Sequence, residues 1–291
     1  MAAASLPVRL CAIALGAASA LPLTACRTAA TAAGTTAPTP ASHSMAAVEA
    51  PRATGYLDKA AVPDSVLLVP PPPAAGSPGM ALDEAVSRQA LALRETPRFA
   101  QATADAELSF PAGAAQFACA LGIPVDAART PHLYRLLERS RVDASAATRA
   151  AKNLYQRARP FTVNGQPTCT PQDEGELRGN GSYPSGHSAI GWAWALILSE
   201  IDPAHADALQ ARGRNYAESR LVCNVHWQSD ILEGRHLGAA AVARLHDNPA
   251  FRADLAAARG EIASARAAGL RPDQDCAAQA QALKLRPESA L

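Results

Sequence analysis

The chain has 291 residues, 48% of them apolar and 18% charged, with 27 Lys and Arg against 26 Asp and Glu and a formal net charge of +1. That length suffices for one good-sized globular domain with appendages. The charges are interspersed and aromatic residues make up 4%, so the sequence shows neither the clustered basic face nor the stacking surface of a nucleic-acid binder, and no nucleic-acid partner is expected.

The N-terminus, MAAASLPVRLCAIALGAASALPLTAC, has one basic residue, Arg9, then an apolar run and then small residues, the pattern of a cleaved secretory signal over residues 1–25. Leu23-Thr24-Ala25-Cys26 resembles the bacterial lipobox, in which cleavage precedes a cysteine that is then lipidated. An ordinary signal peptide that happens to contain a cysteine is the alternative reading. The expectation is a periplasmic protein anchored to the outer membrane through Cys26. Further along, AIGWAWALILS supplies about eleven apolar residues where a spanning helix needs roughly twenty.

Residues 26–75 comprise Cys26, an Ala/Thr/Pro tether without apolar period, and the proline-rich lead-in LLVPPPPAAGSPG, whose prolines enforce an extended backbone. After Met80 the texture changes. ALDEAVSRQALALRETPRFAQATADAEL, TPHLYRLLERSRVDASAATRAAKNLYQRAR, SGHSAIGWAWALILSEI, HADALQARGRNYAESRL and ILEGRHLGAAAVARLHD are Ala/Leu-rich with apolar residues at helical spacing. Strand-like alternation is nearly absent, so residues 76–255 read as a single all-α domain. Residues 256–291 form a C-terminal extension, alanine-rich and charged, expected as a further helix with a frayed end. Cys11 falls in the signal, which leaves Cys119, Cys169, Cys223 and Cys276 beside Cys26. In an exported chain these suggest two disulfides, with three pairings open.

Three pieces carry unusual residues. In AKNLYQRARPF, Lys152 and Arg159 lie seven apart, which brings them near one face of a helix that Pro160 would end or kink. In GNGSYPSGHSAIGWAWALILSE, a Gly/Ser/Pro turn runs into an apolar helix, so the amides of Ser185, Gly186 and His187 would be free at a helix N-terminus, where phosphate binds well. The Ser185 hydroxyl adds a donor, and His187 stands ready to exchange a proton. In ESRLVCNVHWQSD, Arg220 offers a fork for phosphate oxygens, and His226 and Asp230 stand at i and i+4. On one helical face the carboxylate would hold one ring nitrogen and aim the other outward. Taken singly, each piece has an ordinary structural explanation: a solvated basic face, an N-cap, a core histidine.

Together, in the order Lys-x6-Arg-Pro, Pro-Ser-Gly-His, Ser-Arg-x5-His-x3-Asp, they closely resemble the three-part signature of the superfamily that unites bacterial acid phosphatases, lipid phosphatases and vanadium haloperoxidases. The flanking text, LVPPPPAAGS, NLYQRARPF, GSYPSGHSAIGWAWALILSEI and SRLVCNVHWQSD, resembles the class A bacterial non-specific acid phosphatases from about Tyr56 to Phe251. The lipobox and tether, the extension with Cys276, and LEGRHLGAA after Asp230 depart from that pattern. The resemblance implies a helical acid phosphatase without metal or other cofactor, acting on small phosphomonoesters and assembled as a homo-oligomer. It also implies His226 as nucleophile, Asp230 as its orienter and His187 as acid, with Lys152, Arg159, Ser185, Gly186 and Arg220 on the phosphate. An acceptor alcohol in place of water would give phosphotransfer. Cys169 follows the first piece and Cys223 sits inside the third, so a bond between them would tie two phosphate-binding pieces together and leave Cys119 for Cys276. Two other readings use the same residues: a vanadate-dependent haloperoxidase, and a non-catalytic protein binding phosphate, or a metal on Cys223, His226 and Asp230.

Overall fold

Several helix starts in this chain are marked by side chains that accept from the first orphan amides. Asp64, Ser77, Thr96, Asn248 and Asp275 each do so, and Pro78, Pro97 and Pro249 follow three of them at the first helical position. The computed structural model describes residues 53–287. The signal, Cys26 and the tether up to Arg52 lie outside the described residues. Among the described residues the chain forms fourteen α-helices and no strand. The first seven are α1 (Ser65–Leu68), α2 (Pro78–Leu91), α3 (Pro97–Ala104), α4 (Ala112–Ala115), α5 (Ala118–Leu121), α6 (Pro131–Ala146) and α7 (Arg149–Tyr155). Then come α8 (Pro160–Asn164), α9 (Glu174–Arg178), α10 (Gly186–Ile201), α11 (Ala206–Val222), α12 (Gln228–Leu245), α13 (Pro249–Ala267) and α14 (Cys276–Lys284).

α10 is the centre of the core. Its sequence, GHSAIGWAWALILSEI, is apolar nearly all round, and such a helix must be covered on every side. It packs on α6, α11 and α12. Trp194 of α10 donates its indole N–H to Leu137 O at 2.9 Å and meets Phe110, Phe117 and Tyr216 edge-on. Two glycines let α12 approach closely. A Cβ on Gly234 would lie 2.4 Å from Ser185 O, and one on Gly238 2.4 Å from Ala189 O. LEGRHLGAA is thus the seam that presses the start of α10 against the start of α12.

The packed body extends beyond residues 76–255 at both ends. Tyr56 is buried, its amide donating to Asp143 Oδ2 and its hydroxyl to Asp254 Oδ2, each at 2.8 Å. Disulfides join Cys169 to Cys223 and Cys119 to Cys276, the pairing expected from the sequence. The second fastens α14 to α5, and α14 lies against α3. The extension is therefore part of the globule, because a covalent bond and a docking face hold a helix that composition alone leaves free.

The Cys119–Cys276 bridge spans a sequence separation of 157, and neither cysteine lines the cavity described below. Chain entropy assigns such a loop about 4–5 kcal/mol. Replacing both cysteines with serine is expected to lower the melting temperature by several degrees while the folded protein's turnover stays within about twofold, measured by thermal unfolding and steady-state rates.

Candidate active site

The three sequence pieces converge on one cavity of about 560 Å³, lined by Lys152, Arg159, Gly186, His187, Arg220 and His226 among others. Each arrives by a different local route.

Lys152 belongs to α7, which stops where Gln156 takes a left-handed backbone at φ 43°. Arg159 lies outside that helix. It is the extended N-cap of α8, φ −78° and ψ 150°, as the residue before a proline prefers. The expected common helical face is thus corrected: Pro160 opens a helix instead of ending one, and a break between two helices brings the two cations together. Lys152 Nζ donates to Gly181 O at 2.7 Å and Ser182 O at 3.4 Å. Arg159, 4% exposed, donates from Nε to Leu177 O and Asn180 O and from Nη2 to Gly181 O. Its Nη1 reaches Val225 O at 3.0 Å and His226 Nε2 at 3.2 Å.

In the second piece, Ser185 is the N-cap of α10 and fully buried. The expectation of three free amides holds for two. The Ser185 N–H donates to Asp230 O at 2.9 Å, because the α12 seam brings that carbonyl within reach. Its hydroxyl accepts from Ser188 N and Ser188 Oγ and keeps its own proton to donate. His187 Nε2 lies 2.9 Å from Ala106 O. A carbonyl only accepts, so Nε2 carries the proton and Nδ1 is the nitrogen left for chemistry. Ala106 is itself fixed by its neighbour: Asp105 pairs with Arg212, takes the Ser219 hydroxyl and accepts from Gln101.

In the third piece, Arg220 lies in the last turn of α11 at 3% exposure, and its Nε has no partner among the described residues. A buried guanidinium with an unsatisfied donor is suited to an acceptor brought by a ligand. His226 and Asp230 do not share a helical face, since α12 begins at Gln228. Asp230 is its third residue, and Oδ2 accepts from Trp227 N at 2.8 Å and lies 3.3 Å from His226 Nδ1. An N-terminal capping geometry, not the i, i+4 spacing, brings them into contact. Arg159 can only donate, so His226 Nε2 is the lone-pair nitrogen and Nδ1 bears the proton directed at Asp230.

Burial lowers Lys152 to about 7, assisted by Arg159 beside it. Burial lowers Arg159 and Arg220 to about 10 each, with Arg220 adding to the effect on Arg159. Both histidines are pushed well below the ordinary imidazole value by burial and then by the neighbouring guanidiniums. An anion among these groups offsets both causes. The Cys223 sulfur is bonded to Cys169, so the triplet of Cys223, His226 and Asp230 lacks the thiolate that a metal reading needs.

Sequence reasoning missed Arg157 and Asp83. Arg157 donates to Asp230 Oδ1 at 2.6 Å and to Asp83 Oδ2 at 2.7 Å. The Arg-Ala-Arg run at 157–159 was a visible signal, because an extended segment there puts both arginines on one side. Nothing in the sequence marked Asp83.

Residues 142–252 match the model of the PAP2 superfamily. The chain is 44% identical to a non-specific acid phosphatase of Providencia stuartii over 72% of its length and 84% of the relative's. It is 40% identical to an acid phosphatase of Zymomonas mobilis, covering 72% of this chain and 80% of that one, and 40% identical to a non-specific acid phosphatase of Salmonella typhimurium over 68% and 80%. The chain belongs to the PAP2 superfamily and, within it, to the class A bacterial non-specific acid phosphatases.

Since burial and the neighbouring Arg159 lower Lys152 to about 7, anion affinity should be fully present below that pH and fall as pH rises through it. Sulfate, whose charge is constant over this range, is the appropriate probe. Its inhibition constant should increase across neutral pH, and Lys152→Met should weaken inhibition and remove the inflection.

Proposed function

We propose that this phosphatase hydrolyses phosphate monoesters through a phosphohistidine on His226. The observation that carries the reading is the hydrogen-bond polarity of His226: Nδ1–H toward Asp230 and a lone pair on Nε2 beside Arg159. A neutral imidazole so oriented is a nucleophile as it stands. The phosphoryl group would be held by Lys152, Arg159, Arg220 and the amides of Gly186 and His187, which stabilise its equatorial oxygens as charge redistributes.

In the first step His226 Nε2 forms a bond to phosphorus as the ester P–O bond breaks in line, and the ring becomes cationic against Asp230. His187, protonated on both nitrogens, keeps Nε2–H on Ala106 O and transfers the Nδ1 proton to the departing alkoxide. Its suppressed basicity makes it a strong acid, and the negative charge of the bound ester counters the burial and cation effects that suppress it. In the second step neutral His187 takes a proton from water. The oxygen attacks phosphorus, and the P–N bond breaks with its electron pair returning to Nε2. An alcohol replacing water would give phosphotransfer. The two disulfides support the same cellular reading as the N-terminal sequence, an exported protein; anchorage at Cys26 is proposed from the sequence.

His226→Ala is expected to abolish acid-labile phosphoenzyme; a burst of labelling that persisted would overturn the nucleophile. His187→Ala should retain the burst with p-nitrophenyl phosphate, whose leaving group needs little protonation, yet lose roughly a hundredfold or more with alkyl phosphates. Equal losses on both substrates would count against the acid role. Activity should survive EDTA; loss restored by zinc would favour a metal site instead.

A further inference from the structure

A buried ionic chain reaches the cavity from behind. The side chains of Arg157 and Asp83 are 8% and 2% exposed. Arg157 Nη1 donates to Asp230 Oδ1 and Ser229 Oγ, and Nη2 to Asp83 Oδ2. Asp83, from α2, also accepts the Ser229 N–H at 2.7 Å and the Ser229 hydroxyl at 2.6 Å. The guanidinium lies 5.5 Å from the ring of Trp227, which caps the helix that carries Asp230.

We propose that Arg157, anchored by Asp83, is a positioning residue for phosphoryl transfer: it holds Asp230 ionised and turned toward the His226 nucleophile. The proposal deepens the phosphohistidine reading and rests on it. Asp230 is fully buried, and burial raises its pKa and favours the neutral acid against the opposing pull of Arg157, the Trp227 amide and Lys152. A neutral acid would accept weakly from Nδ1–H and leave the cationic ring of the intermediate without its counter-charge. The charged and titratable groups around Asp230 are Lys152 of α7, Arg157 and Arg159 before α8, Tyr183 before α10 and His226 before α12, with Asp83 of α2 behind the guanidinium. Of the cationic side chains, Arg157 makes the direct bond to the carboxylate. It occupies Oδ1, which leaves Oδ2 to the Trp227 amide and the imidazole. A purely structural ion pair would need Asp83 alone; the second arm joins that pair to the reacting histidine.

The test measures phosphoenzyme formation from p-nitrophenyl phosphate by quenched flow across pH. It compares the wild type, Arg157→Lys and the double variant Asp83→Asn/Arg157→Met, which removes both charges of the pair and so leaves neither unpaired. In the double variant Asp230 loses its cation and its pKa rises. The ionised form is the active one, so rate is present above that pKa and lost below it, and the acid limb should move up by about one pH unit. The plateau rate should fall roughly 10- to 100-fold, with KM nearly unchanged because the phosphate-binding cations remain. Arg157→Lys keeps the charge but not the two-armed geometry; its limb should stay in place while its rate falls. A double variant with the wild-type limb and rate overturns the proposal. So do two variants that lose rate alike with no displacement of the limb. If the double variant does not fold, Arg157→Lys decides, and a wild-type rate overturns the positioning role. Failure of the phosphohistidine reading shows separately, as a wild type without phosphoenzyme or a His226→Ala variant that retains it, and the present proposal falls with it.

Discussion

Three cations held side by side out of water are the constraint on which the rest of this structure depends. Lys152, Arg159 and Arg220 are each desolvated, and Arg159 lies close enough to the other two for mutual repulsion to register in the acidities. Such a cluster is unfavourable by itself and favourable around a dianion. Its partners decide how much of the charge remains for a ligand. Lys152 and Arg159 bond backbone carbonyls, and both use Gly181 O. Carbonyls satisfy the N–H groups without cancelling the charge. Glu176, exposed at the rim, is the one carboxylate among the described residues that line the cavity.

That arrangement needs three separate chain segments held to a fraction of an ångström, and the helix packing supplies it. The apolar α10 is fixed on all sides, so its N-terminus cannot tilt. Gly234 and Gly238 let α12 lie directly on its first turns, and the Ser185 amide closes onto the Asp230 carbonyl. The Cys169–Cys223 bond joins the segment after α8 to the turn between Arg220 and His226. His187, His226 and Asp230 thus share one rigid junction, the condition under which buried polar groups keep productive geometry.

The residue types at this junction were legible in the sequence; the backbone routes to them were less so. The all-α class and the apolar helix follow from composition and period, because the run AIGWAWALIL within α10 is continuous and the other segments carry apolar residues at helical spacing. The helical-face argument for Lys152 and Arg159 failed because a left-handed residue and a proline intervene, and periodicity assumes a continuous helix. His226 and Asp230 met by capping geometry for a related reason: a helix boundary fell between them. Asp83 and Arg157 were invisible as a pair, since 74 residues separate them and no local pattern encodes a long-range ion pair.

The two histidines share a residue type and differ in their surroundings. Both are pushed toward the neutral form by burial and neighbouring guanidiniums. What separates them is the partner on the far nitrogen. His226 has a carboxylate, which favours a positive ring. His187 has a carbonyl, which fixes the tautomer but adds no full charge, so its protonated form stays acidic and releases the proton readily. Under the proposed mechanism, exchanging these partners would weaken the nucleophile and the acid together. The buried Asp105–Arg212 pair behind Ala106 and the Arg157–Asp83 pair behind Asp230 occupy corresponding positions, each fixing the acceptor of one imidazole. These two ion pairs are in this sense an outer layer of the same site.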